Sequence, residues 1–249
     1  MRKDIRILIY SLVVFGAFIT LVAGCKKSED NTAPKDIVDN IDIDGNVYTT
    51  ITIGTQTWMV ENLRTTKYQN GDPIQNVTDN SAWATQTKGA LCNYSNNEAN
   101  GTKYGKLYNW HAVNDSRKLA PNGWHIPTDA EWTTLTTYLT SNPGASVTVA
   151  KALAAKTDWA TSAEVNAVGN DLTKNNSSGF TALPGGFRGL NGPSGTFAWL
   201  TTSGWFWSSS PSNYTEMGNA RGLSNSTKGN LEMGMFFKTD GLAVRCIKD

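Results

Sequence analysis

The sequence predicts an α+β fold, and three stretches predict it. Residues 41–60 alternate apolar and polar around tight turns, as a small antiparallel meander does. Residues 128–140 carry the marks of one capped amphipathic helix. Residues 180–247 are aromatic runs punctuated by glycine, the pattern of short, strongly twisted strands. The chain has 9 Trp, 8 Tyr, 8 Phe and 23 Gly and few aliphatic residues, so its core must be aromatic and its connections turn-rich.

In chain order, the first element is a hairpin. Asp44-Gly45-Asn46 is a turn between Asp42-Ile43 and the alternating run 47–53. Gly54-Thr55 turns the chain again into Gln56-Thr57-Trp58-Met59-Val60. The spacing Asp42, Asp44, Asn46 evokes a calcium loop. That loop needs glycine at its sixth position and an acid at its twelfth, where Val47 and Ile53 stand here. Residues 61–103 are polar and turn-rich, anchored by Trp83 and Cys92-Asn93-Tyr94. Tyr104, Leu107, Tyr108 and His111 fall at helical spacing and predict a short aromatic helix.

The centre of the chain is Gly123-Trp124-His125-Ile126-Pro127-Thr128-Asp129-Ala130-Glu131-Trp132. Thr128 is an N-cap and Glu131 stands three residues on, so together they form a capping box. Asp129 and Glu131 also put negative charge in the first turn, where the helix dipole favours it. Trp132, Leu135 and Leu139 give the helix its buried stripe, and Asn142-Pro143-Gly144 stops it. A second short helix is expected over 149–153, then polar loop to 179 with Trp159 as an anchor. Strands follow at 180–189, 197–200, 204–210, 232–238 and 242–247, with Ser208-Ser209-Ser210 read as an edge strand or turn.

The N-terminus has a basic start, an apolar run over 7–22, then Leu21-Val22-Ala23-Gly24-Cys25. This resembles a bacterial lipoprotein signal, in which small residues before the cysteine admit the signal peptidase. The rival is an uncleaved membrane-spanning helix. The resemblance implies that 1–24 is a signal peptide and that Cys25 is lipidated. Residues 25–40 are then a polar tether and 41–249 a single domain. Acyl chains at Cys25 would make the membrane the first partner. The expected place is the cell envelope, as an outer-membrane lipoprotein open to surface display.

Export implies an oxidising compartment, where leftover cysteines tend to pair. Cys92 and Cys246 are thus expected to form a disulfide worth ~2–4 kcal/mol, with a free reactive thiol as the alternative. The formal charge is +1. Residues 1–24 hold three basic residues and one acidic, so without them it becomes −1. A near-neutral chain with no basic stripe argues against nucleic acid.

Seven blocks occur in a recognisable order. They are Asp44-Gly45-Asn46-Val47-Tyr48, Thr57-Trp58-Met59-Val60-Glu61-Asn62-Leu63, Tyr104-Gly105-Lys106-Leu107-Tyr108-Asn109-Trp110, the stretch from Gly123 to Trp132, Pro184-Gly185-Gly186-Phe187-Arg188, Trp207-Ser208-Ser209-Ser210 and Gly241-Leu242-Ala243-Val244-Arg245-Cys246. The set resembles the Fibrobacter succinogenes major paralogous domain of exported lipoproteins. More distantly, the Pro127–Trp132 motif with the glycine-rich C-terminal strands looks like the formylglycine-generating enzyme fold, a variant of the C-type lectin fold. That likeness implies a C-type lectin-like domain: two main helices on small twisted antiparallel sheets, rich in loops, with its ends brought together. Fold likeness carries no activity.

No stretch specifies a reaction. The copper chemistry of that enzyme needs two neighbouring cysteines, whereas 153 residues separate Cys92 from Cys246. His111 and His125 are the only histidines, and neither they nor Cys92 sit in a nucleophile motif. Asp129 and Glu131 share one helix turn, so they do not face each other across a cleft as glycosidase acids do. Arg188, Arg221 and Arg245 read as structural bridges to buried carboxylates. No metal and no cofactor are expected.

Aromatic stacking is the remaining route to a ligand. Trp199, Trp205, Trp207 and Tyr214 cluster in the C-terminal strands, and alternation puts Trp205 and Trp207 on one sheet face. That face is either core or an exposed platform. The expected function is a non-enzymatic recognition or adhesion domain, with polysaccharide or another envelope protein as partner. The alternatives are an envelope enzyme acting on carbohydrate or protein, and a purely structural surface module.

Overall fold

The computed structural model describes residues 40–189 and 195–249. Cys25, the signal peptide and nearly all of the tether lie outside these residues.

The first hairpin turns at Gly45, whose φ of 84° is open to glycine without strain. Strand β1 (Thr50–Ile53) then pairs antiparallel with β2 (Gln56–Met59) across the Gly54-Thr55 turn. The polar region that follows contains β3 (Gln75–Asn76), α1 (Asn80–Ala84), β4 (Ala90–Cys92) and α2 (Glu98–Tyr104). Next come β5 (Leu107–Tyr108), α3 (Trp110–Val113) and β6 (Trp124–His125).

The aromatic helix expected over 104–111 does not form. Gly105 breaks it at a φ of 81°, and a Cβ there would stand 2.5 Å from Asn62 Cβ. Lys106 N–H bonds Leu63 O and Tyr108 N–H bonds Leu242 O, so long-range pairing overrides the local period.

Helix α4 (Asp129–Ser141) starts at the Thr128 cap, and both halves of the capping box are made. It buries Trp132, Leu135 and Leu139. Helix α5 (Val149–Leu153) follows where the sequence placed it, and Trp159 anchors the long loop with Nε1 donating to Ala182 O at 3.2 Å. The C-terminal part holds β7 (Gly185–Arg188), β8 (Phe197–Leu200), β9 (Ser203–Pro211), β10 (Met217–Ser224), β11 (Glu232–Phe237) and β12 (Ile247–Lys248).

The strands make three sheets among the described residues, ordered β1-β2-β12-β6, β11-β10-β9-β7-β8 and β3-β4-β5. The result is a strand-rich α+β fold whose described residues hold five α-helices, one of 13 residues and four short ones, rather than two main ones. Nor are the sheets all small and antiparallel: one has five strands, and β3–β4 and β7–β9 run parallel. Ile247 pairs with both Trp58 and His125, so the last strand closes against the β1–β2 hairpin on one side and β6 on the other.

Strand β9 separates two cores. Phe206 packs on one side with Trp58, Trp132 and Phe180. Trp205 and Trp207 pack on the other with Tyr48, Tyr108, Trp110 and Phe187. Both faces of β9 are therefore buried through residue 208, and Ser208-Ser209-Ser210 continues a central strand rather than an edge. Arg188 and Arg245 lie within the cores but, among the described residues, form no ion pair with a carboxylate. Arg188 sits between the Trp83 and Phe197 rings at 4.4 and 4.6 Å, and its guanidinium bonds the carbonyls of Val77, Thr78 and Gly195 and the Asn80 side chain. Only Arg221 forms the expected bridge, to Asp129 at 3.0 Å.

Candidate recognition surface

The four aromatic residues singled out in the sequence divide into two pairs. Trp205 and Trp207 share a sheet face, but that face is core: their exposures are 8% and 0%. Trp205 lies across glycines on β10 and β11, the next two strands on one side of the sheet. A Cβ at Gly222 would stand 2.3 Å from its ring, and one at Gly234 2.6 Å. Trp207 donates from Nε1 to Tyr108 O at 2.7 Å. The reading of these two as a stacking platform is corrected. Alternation identifies one solvent face only when the sheet has one, and β9 is covered on both sides.

Trp199 and Tyr214 do reach solvent, at 52% and 60% exposure. Tyr214 lies in the turn between β9 and β10. Trp199 stands in β8 at a φ of 61°, a backbone conformation that a bulky residue rarely adopts. Its ring meets Phe187 edge-on, with centroids 5.1 Å apart and planes at 83°. Phe187 packs in turn on Phe236, which meets Trp205. The backbone is secured at the same point: the Trp199 carbonyl accepts from Thr202 N–H and Oγ1, both at 3.1 Å. A half-exposed indole is thus held rigidly at the rim of the core.

The residues weighed for chemistry are bound into structure. His125 meets Asp249 through Nδ1 and Glu131 through Nε2, each at 2.7 Å. Burial pulls the imidazole down, but the two carboxylates bring it above its ordinary value. Burial pushes Glu131 up, but bonds from the Thr128 N–H and hydroxyl and from His125 take it below its ordinary value. The capping box and the histidine therefore share one carboxylate. His111 stands apart on α3, lowered by burial and then by Lys238. Among the described residues, no group of three His, Cys, Asp or Glu side chains could hold a metal ion. At the first hairpin, the Asp42 carboxylate accepts from the N–H groups of Asp44 and Asn46, the Asn46 amide and Tyr48 Oη.

Cys92 and Cys246 are free thiols, which corrects the expected disulfide. Cys92 pairs in register with Leu107, and the next residue, Tyr108, bridges Leu242. Cys246 is four residues beyond Leu242, roughly 13 Å in extended chain, and a disulfide needs Cα atoms within about 7 Å. The two side chains enter different clusters, Cys92 with Trp83 and Leu107, Cys246 with Tyr48 and Val244. Burial raises the Cys92 thiol to about 11 and pushes Cys246 up as well, so both are unreactive.

One open cleft was not legible in the sequence. It measures about 390 Å³ and is lined by Asp44, Arg64, Thr66, Glu98, Thr102 and Lys106, among others. Burial lowers the Lys106 ammonium, whose bond is to the neutral Asn93 Oδ1 at 3.1 Å. These residues come from a hairpin turn, a loop and α2, and no local pattern joins them.

The architecture defines a class: a strand-rich α+β domain with an aromatic double core. The family model described as the Fibrobacter succinogenes major domain matches residues 51–248, and the chain belongs to this family. No curated protein and no solved structure matches it.

Proposed function

We propose that this chain is a lipid-anchored envelope protein whose domain recognises a polysaccharide without transforming it, with Trp199 as the stacking residue. The observation that carries the reading is the Trp199 ring: half-exposed, on a left-handed backbone, braced edge-on by Phe187. Left-handed backbone at a non-glycine residue is costly and clusters at ligand clamps. A braced indole offers a flat apolar face at little cost in entropy. The resemblance of the segment ending at Cys25 to a lipoprotein signal supports an envelope location.

The test is a titration of the protein with a panel of soluble polysaccharides, read by tryptophan fluorescence and pull-down, with and without EDTA. Binding that survives EDTA and is lost in Trp199→Ala, while Tyr214→Ala retains it and circular dichroism is unchanged, is the expected result. Binding that persists in Trp199→Ala overturns this assignment.

A second reading rests on Lys106. Its half-buried ammonium, with a neutral partner, suits a small anionic ligand in the 390 Å³ cleft. Binding lost in Lys106→Met and kept in Trp199→Ala would favour it.

A further inference from the structure

Strand β11 forms one edge of the five-stranded sheet. Its residues pair with β10 in the register Glu232↔Gly222, Gly234↔Ala220 and Phe236↔Gly218, and Lys238 N–H bonds Glu216 O at 2.8 Å. Backbone groups alternate in direction along a strand, so those of Met233, Met235 and Phe237 point outward. The Phe237 N–H is indeed turned away from β10, to Asp240 Oδ2 at 3.0 Å. Among the described residues, no strand pairs with the outer side of β11. The side chains of Met233 and Met235 are 76% and 52% exposed.

Edge strands are normally blunted by lysine, proline, a bulge or a covering segment. Over Met233-Gly234-Met235-Phe236 β11 has none of these; only at Phe237 does the Asp240 turn take the outward N–H and C=O, and the charges stand at the ends, Glu232 and Lys238. We propose that β11 pairs antiparallel with β11 of a second copy of this chain, about a twofold axis through Met235, so that the two sheets join into one. An isologous contact of this kind is self-complementary.

Charge selects the second copy as occupant and sets the register. With the axis at Met235, Glu232 stands opposite the partner's Lys238, and Lys238 opposite the partner's Glu232. Both pairs fall at positions without mutual backbone bonds, where facing side chains come closest. Moving the axis to Gly234 or Phe236 sets Glu232 or Lys238 against an uncharged residue and loses both ion pairs. Met235 faces the partner's Met235 and exchanges two N–H···O bonds with it. Met233 lies beside the partner's Phe237. Lys238 is available for the pairing: its ammonium rests on the Trp110 ring at 4.7 Å, with no ion pair among the described residues. Glu232 meets the partner's Lys238 through Oε2, since its Oε1 accepts from the Ser224 and Thr227 hydroxyls of its own chain. This inference is independent of the Trp199 reading.

The test uses the full chain in its native membrane, with Met235→Cys and mild oxidation. Facing Cα atoms at such a position are about 5.5 Å apart, within disulfide range. A cross-linked dimer on a non-reducing gel is expected from Met235→Cys and not from Tyr214→Cys, which is equally exposed but off the axis. In the Met235→Cys background, Glu232→Lys or Lys238→Glu alone should lower the yield ~3- to 30-fold, and the double reversal should restore it. Near-UV circular dichroism of the purified variants checks folding, and restoration in the double variant separates pairing from local damage. Equal cross-linking at Tyr214 and Met235, or yields indifferent to the charge reversals, would overturn the proposal.

Discussion

Asn62 Oδ1 accepts two bonds from the guanidinium of Arg245, from Nε at 2.9 Å and from Nη2 at 2.7 Å. Arg245 is 1% exposed, stacks on the Phe180 ring at 4.5 Å, and gives its remaining bonds to the carbonyls of Met59 and Phe180. Burial lowers this guanidinium to about 9, against a smaller raising effect of the Glu61 charge, and no carboxylate among the described residues stands at bonding distance. Replacing Asn62 by Leu would leave two donors of a buried cation unpaired. The expected loss is ~3 kcal/mol or more, read as a lower midpoint in urea unfolding. Asn62→Asp should cost less, because a carboxylate can take both bonds. A midpoint within error of wild type for Asn62→Leu would sink this account.

The His125 clamp predicts a bounded pH window. The folded imidazole is raised above its ordinary 6.5, so its contribution is complete below that value and fades as pH rises through the raised one. Glu131 is lowered below its ordinary 4.5, so its contribution is present above 4.5 and is lost as pH falls through the lowered value. The clamp should be strongest between about 4.5 and 6.5. His125 is 37% exposed and Glu131 29%, so the gain is small, at most ~1 kcal/mol. The melting temperature of His125→Gln should trail wild type most near pH 5.5 and converge with it in mildly alkaline buffer. A gap that widens with pH would reverse the sign.

Asp240 is shifted in the opposite direction to Glu131. It is 3% exposed, and burial raises its carboxyl to about 7, against a bond from the Phe237 N–H that lowers it. The folded state therefore binds a proton that the unfolded state releases near its ordinary value of 3.8, and stability declines as pH rises from about 4 to 7. Asp240→Asn keeps an acceptor for Phe237 without the charge. It should raise the melting temperature at pH 8, by the equivalent of a few kcal/mol at most, and have little effect at pH 4. Equal effects at both pH values would show that charge is not the cause.

The two buried thiols make a chemical prediction. The folded domain should resist an aromatic disulfide reagent for hours, and guanidinium should expose both Cys92 and Cys246 to it. Intact mass under non-reducing conditions should match the dithiol form. A mass lower by about two hydrogens, with no thiol released on unfolding, would restore the disulfide.

Much of the fold was legible because its causes are local. Thr128 and Glu131 are three residues apart, so the capping box and the start of α4 follow from adjacent chemistry. The Asp44-Gly45 and Gly54-Thr55 turns, and α5 at Val149–Leu153, are likewise short-range. The family's ordered blocks were legible for the same reason, as residues in sequence.

What failed was set at long range. Helical spacing from Tyr104 to His111 lost to the bonds of Lys106 with Leu63 and of Tyr108 with Leu242. The compartment argument pairs Cys92 with Cys246, but β4 and the segment leading into β12 carry them into separate clusters.

The sequence by itself determined the turns, the capped helix, the aromatic character of the core and that Trp205 and Trp207 share a face, because each depends on residues a few positions apart. Only the tertiary structure decided that this face is interior, that Trp199 is the indole left in solvent, that Asp249 closes on His125, and that Arg64, Glu98 and Lys106 share a cleft. Burial belongs to a surface and not to a strand: a period-2 pattern orders side chains by face, but what covers each face is contributed by chain segments tens to hundreds of residues away.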